Sequence, residues 1–164
     1  MPIIDVNQDP ANRTLTMTAH FDAPVERIWA LYADPRQLEK VWGPPEYPAT
    51  FPKHELTPGG TSHYYMTSPE GEKFAGFWNV TAVDENKQFS FDDGFALNAD
   101  DFAPNPDLPV SKNTYRFTPD GDGTRAEYIS VYASDEALAQ VLEMGMVEGA
   151  TTAINQIDEF LKND

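Results

Sequence analysis

The chain has no cysteine among its 164 residues. That excludes a disulfide framework, a thiol nucleophile and a thiolate metal site, and it agrees with a reducing cytoplasm, where the protein is expected to reside. Histidine is scarce as well, and His20, His54 and His63 show no H-x-x-x-H or H-E-x-x-H spacing. With no G-x-S-x-G either, local motifs supply neither a metal centre nor a nucleophile with its adjacent base. The "DGDG" at 120–123 lacks the other ligands of a calcium loop and reads as a hairpin turn. No metal, no cofactor and no catalytic residue is expected.

Positive charge is the next shortage. Against 27 acidic residues stand 11 basic ones, a formal charge of −16, so phosphate backbones and anionic membranes are repelled and nucleic acid is not an expected partner. The acidity reads as a solvated surface that favours a monomer or at most a weak homodimer. Long apolar runs are also missing, and "MPIIDVNQDPANR" has neither the basic start nor the apolar stretch of a secretory signal. No membrane insertion and no targeting segment are expected.

What is present is patterned. Residues 1–12 read as a flexible N-terminal arm and residues 13–162 as a single domain, a length that allows a sizeable core. "RTLTMTAHFD" alternates, with Leu15, Met17, Ala19 and Phe21 on one side, as in a half-buried strand. "APVERIWALYADP" follows with Asp22 as a cap, Pro24 at a helix start, and Val25, Ile28, Trp29 and Tyr32 at helical spacing; "RQLEKVWG" supplies a second short helix. Six short β-like runs lie between Pro44 and Ala133, split by turn sequences such as "TPGG" and "DENK". The segment 92–111 is rich in Asp and Pro and reads as an extended loop that could cover an opening. One helix from Ser134 to about Lys162 closes the chain. The order predicts an α+β fold of about seven antiparallel strands curled around that helix, with two short helices after strand one.

The last helix carries an oddity. Its apolar stripe collects Leu138, Val141, Leu142, Met146, Ala153, Ile157 and Phe160, and Gly145 and Gly149 fall in the middle of it. A glycine inside a helix costs about 1 kcal/mol relative to alanine, so a bare strip here needs a reason. Either sheet side chains fill the space and the interior is solid, or the glycines border a hollow. Both remain open on these residues alone.

The ordered segments "FDAPVERIWALYADPRQLEKVWGP", "LTPGG", "GFWNVTAVDENKQFSF" and "MGMVEGATTAINQIDEFL" resemble the activator of heat shock protein 90 ATPase homologue family, C-terminal-domain type. That family belongs to the START, polyketide-cyclase and birch-pollen-allergen superfamily (SRPBCC). The likeness runs from about Arg13 to Leu161 and implies a helix-grip (Bet v 1-like, START) fold around a deep, mostly apolar cavity. It thereby favours the hollow. Where the family reads "D-x-R-P-G-G", this chain reads "E-L-T-P-G-G", so Glu55 keeps the acid and Thr57 replaces the arginine. The superfamily spans carriers, receptors, cyclases and co-chaperone domains, so the fold does not fix an activity.

If the concave face follows Ser62–Tyr64–Met66 and Gly76–Trp78–Val80, the pocket wall is aromatic and thioether-rich. The expected ligand-binding residues are Trp42 at the rim, Tyr64, Met66, Trp78 and Phe91 on the sheet, and Met146, Gly149, Ala153 and Gln156 on the helix. Gln156 stands out as a buried amide that either orients a ligand or bonds a neighbouring loop. Tyr115 and Tyr128 offer further hydroxyls, and Glu55, Asp92 and Asp93 are acids near the pocket mouth, with none singled out. Met144, Val147 and Ile154 fall on the outer half of the helix, where they offer a docking patch. Three functions follow in order: binding of a small hydrophobic or aromatic molecule, a cyclase- or hydrolase-type enzyme using the same cavity, and a chaperone-associated or stress-related interaction protein.

Overall fold

Strand alternation is obeyed where it was clearest. In the computed structural model, which describes residues 3–163, the strand Thr14–Phe21 (β2) buries Leu15, Met17, Ala19 and Phe21 almost completely. Ahead of it the expected loose arm is replaced by another strand. Ile3–Asp9 (β1) pairs antiparallel with β2, placing Val6 opposite Met17, and the Ile3 N–H donates to Asn155 Oδ1 at 3.3 Å. Its polar side chains hid it, because an edge strand exposed along its length is held by backbone ladder bonds rather than by an apolar face. Met1 and Pro2 of that arm lie outside the described residues.

The helix pair follows as Val25–Ala33 (α1) and Pro35–Leu38 (α2). Pro24, not Asp22, occupies the cap position of α1, whereas Asp34 caps α2 by accepting from the Arg36 N–H at 2.9 Å. Then come Ala49–His54 (β3), Thr61–Thr67 (β4), Lys73–Asp84 (β5), Gln88–Phe95 (β6), Ser111–Asp120 (β7) and Gly123–Tyr132 (β8). Together with β1 and β2 they form one antiparallel sheet of eight strands in the order β1-β2-β8-β7-β6-β5-β4-β3, with β1 and β3 as its free edges. The sheet is open, and the fold is the helix-grip type.

The expected loop 92–111 is shorter than its composition implied, since Asp92–Phe95 belong to β6. The remainder is pinned by Asn98, whose Oδ1 accepts from the Asp100 and Asp101 N–H groups, and by Phe102, which stacks on His63 at 4.5 Å between centroids. His63 lies on the face of β4 opposite Ser62 and Tyr64, so the middle of the loop is fastened to the convex side of the sheet. Of residues 96–110 only Pro109 reaches the cavity described below.

The closing helix is two helices. Asp135–Glu143 (α3) starts at Ser134, whose Oγ accepts from the Ala137 N–H at 3.0 Å, and Met146–Lys162 (α4) begins beyond a break at Gly145. Gly145 sits at φ +83°, a left-handed conformation that ends one helix and starts the other. A single helical wheel therefore cannot be carried across residue 145. Phased on its own, α4 turns Gly149, Ala150, Ala153, Ile154 and Ile157 inward, so Ile154 is buried rather than part of an outer patch. Val147 packs beside α3 on the small cluster of Leu15, Tyr132, Leu138 and Val141, while Met144 remains exposed. Gly145→Ala is expected to lower the urea midpoint by an amount equivalent to about 1–2 kcal/mol, because an L side chain is strained at positive φ.

Candidate functional site

Half of the concave face is solid. Trp29, Tyr32, Phe89 and Phe117 interlock under α1, and Trp78 stacks on Phe91 with centroids 4.1 Å apart. The strand parity that put Trp78 and Phe91 inward is correct, but both are spent on this packing and neither borders open space. The Trp78 indole N–H has no hydrogen-bond partner among the described residues, a cost set against its ring contacts. His54 closes this half. Its Nε2 lies 2.7 Å from the Tyr32 carbonyl, which can only accept, so that nitrogen carries the proton and Nδ1 accepts from the Ser62 hydroxyl at 2.8 Å. Burial pushes its pKa down, which fits this neutral, structural imidazole.

The other half is hollow. Between α4 and the sheet lies a cavity of about 340 Å³. Trp42, Tyr64, Met66, Met146, Gly149 and Ala153 all line it, so six of the nine expected residues converge on one space. Gly149 is the informative one: a Cβ added there would meet nothing within 4 Å. The bare strip is accounted for by two separate causes, a backbone turn at 145 and empty space at 149.

Gln156 is not part of this wall. Its Nε2 donates to the Gly43 carbonyl at 2.7 Å, beside a separate, more open depression lined by Arg36, Pro44 and Pro48. The amide ties α4 to the segment after α2, the loop-bonding alternative for this side chain. Gln156→Ala is expected to lower stability by about 1–2 kcal/mol in urea titrations, the cost of an orphaned carbonyl and a lost bond. Affinity for a cavity ligand should stay within about twofold of wild type.

The polar end of the cavity is where sequence reasoning fell short. Asp93 follows Phe89 and Phe91 at strand spacing and pairs with Trp78 across the ladder, so its carboxyl points to the concave side. The Tyr64 hydroxyl donates to Asp93 Oδ1 at 2.9 Å. Gly76 makes this reach possible, because a Cβ there would run into the Tyr64 ring. The exposed part of Asp93 faces the cavity while protein encloses the rest, and this burial pushes its carboxyl up to about 7, with the Tyr64 bond pulling the other way. Tyr115 and Tyr132 lie within the field of the same carboxyl. Burial first, and that negative charge second or later, push both phenols up, Tyr132 to about 12. Asn113 sits beside them, donating to Ser111 Oγ at 3.0 Å and accepting from the Ser130 hydroxyl at 2.6 Å. The Tyr32 and Tyr128 hydroxyls bond each other at 2.8 Å. Glu55, by contrast, accepts from the Thr61 N–H in the β3–β4 turn and lies away from the cavity.

An open antiparallel sheet gripping a C-terminal helix over a mostly apolar cavity is the architecture of the SRPBCC class of helix-grip proteins. Within that class the match is specific: the family described as "Activator of Hsp90 ATPase homolog 1-like protein" matches residues 22–162, and the chain belongs to it. A crystal structure of a Mycobacterium smegmatis protein is 62% identical, covering 98% of this chain and 97% of that one with a TM-score of 0.90. A solution structure from Arthrobacter aurescens is 43% identical at a TM-score of 0.92, covering 98% of this chain and 92% of that one. A Silicibacter pomeroyi member, 21% identical at a TM-score of 0.71 over 91% of this chain and 97% of that one, shares the fold. No match is found among curated proteins. Among the described residues no helix is long and apolar enough to cross a membrane.

Proposed function

We propose that the protein binds a small hydrophobic or aromatic molecule in the cavity between α4 and the sheet. One observation carries this reading: the inner face of α4 carries only Gly149, Ala150 and Ala153 between Met146 and Ile154, opposite aromatic walls, and a side chain at 149 would have room to grow into the space. Protein interiors close such gaps unless something else occupies them. A cytoplasmic protein, acting as a monomer or weak homodimer, is part of the same proposal. The test is titration with N-phenyl-1-naphthylamine, a neutral dye that brightens in apolar surroundings. Saturable 1:1 binding is expected, and a linear, unsaturable response would overturn the reading.

A second reading is favoured by Asp93. A carboxyl raised to about 7 and bonded to a phenol at 2.9 Å is suited to move a proton at neutral pH, as a cyclase- or hydrolase-type enzyme acting in the same cavity would need. A chaperone-associated role rests on the family's description alone.

A further inference from the structure

We infer that the cavity selects apolar ligands that carry a positively charged nitrogen, such as a lipophilic amine, with Asp93 as the counter-charge. This deepens the proposal of a cavity-bound hydrophobic ligand and rests on it. Three observations lead there. No lysine, arginine or histidine is among the residues that line the cavity, so Asp93 has no cationic partner within it. Its Oδ1 accepts from Tyr64, while Oδ2 receives no hydrogen bond from the described residues and is not sealed from the cavity. The surrounding surface is aromatic: Trp42, Tyr64 and Tyr115 line the same space, and such rings attract a cation.

The balance of charges decides between ligand classes. A carboxylate ligand would set two anions together in an enclosed space with no cation to separate them, and is rejected. An alcohol hydrogen-bonds either form of Asp93 and gains little from its charge. An ammonium supplies the missing opposite charge and a donor for Oδ2. The overall charge of −16 draws cations towards the protein and repels anions.

The proton inventory makes the claim testable. The other titratable groups facing the cavity are phenols: Tyr32 from α1, Tyr47 from the segment after α2, Tyr64 from β4, Tyr115 from β7, and Tyr128 and Tyr132 from β8. Burial pushes the phenols of Tyr32, Tyr64, Tyr115, Tyr128 and Tyr132 above their ordinary range, so none of these five changes charge between pH 5 and 8. Over that range an alkylamine stays protonated while empty Asp93 passes from neutral to charged near pH 7. Amine binding therefore expels the carboxyl proton, and its affinity is full above about 7 and falls on the order of tenfold per pH unit below it.

The experiment is displacement of bound N-phenyl-1-naphthylamine by decylamine, 1-decanol and decanoate below their aggregation concentrations, at 0.15 M salt. At pH 8 decylamine should displace the dye at least tenfold more strongly than 1-decanol, with decanoate weakest. Asp93→Asn should erase the amine preference, and only the amine should weaken between pH 8 and pH 5.5. Equal affinities of amine and alcohol, a preference that survives Asp93→Asn, or failure of every decyl probe to displace bound dye would overturn the inference and leave the cavity proposal standing. If the dye itself does not bind saturably, both fall.

Discussion

Asp93→Asn should melt about 4–8 °C higher than wild type at pH 8, with the gain shrinking steadily towards pH 5. The wild-type carboxyl is raised from 3.8 to about 7 by burial. A raised carboxyl contributes stability that is complete below the unfolded value and is lost as pH climbs through the folded one, because the native state then holds a proton that the unfolded state has released. At about 1.4 kcal/mol per pH unit across a window of roughly three units, the full loss approaches 4 kcal/mol. Asp93 is only partly enclosed, so solvent screening reduces this and about 2 kcal/mol is the expected gain. Asparagine keeps an oxygen for the Tyr64 hydroxyl and removes the charge. Thermal melts of both proteins from pH 5 to pH 8 decide the matter: an equal shift at both ends, or a loss at pH 8, shows that the carboxylate is not under strain.

Gly149→Leu should abolish dye binding, weakening it by at least tenfold, without destabilising the protein. The added side chain starts where nothing beyond its own helix backbone and chain neighbours lies within 4 Å, and it grows into the cavity that the dye needs. Removing a helical glycine contributes up to about 1 kcal/mol, and the apolar area buried by leucine adds to it at about 25 cal/mol per Å². Gly149→Ala serves as the control, with a similar propensity gain and most of the cavity left. If the leucine variant binds dye as well as wild type does, the dye sits elsewhere. A large drop in melting temperature would instead mean that the space is smaller than it measures.

The architecture was legible because its strongest periods are the ones burial enforces. Leu15, Met17, Ala19 and Phe21 could alternate only in a strand with one dry face, and Ser62–Tyr64–Met66 gave the concave side of β4 correctly. The failures have equally physical causes. Residues 3–9 carry no apolar alternation because, apart from Ile3, whose N–H reaches Asn155, they are held by the ladder. Gly145 was legible as an anomaly but not as a break, since a wheel assumes a continuous helix and one left-handed residue resets its phase. That reset misplaced Ile154. Asp93 was legible only as one of three acids near the pocket mouth, because composition groups it with an Asp- and Pro-rich loop, although extending the parity of Phe89 and Phe91 by two residues turns it inward and singles it out. Trp78 and Phe91 were placed on the right face, but whether an inward ring lines a void or fills one depends on what α1 brings against it. That is a long-range fact no local window contains.

The two free edges of the sheet have a bearing on association. The outer strand β1 is polar along Asp5, Asn7, Gln8 and Asp9, and β3 carries Pro52 and Lys53 where its register with β4 shifts. A proline removes a donor, and carboxylates meeting carboxylates repel, so both rims disfavour a neighbour's backbone, although β1 also exposes Ile4 and Val6. Growth into fibrils by adding one sheet to the next is thereby discouraged at both ends.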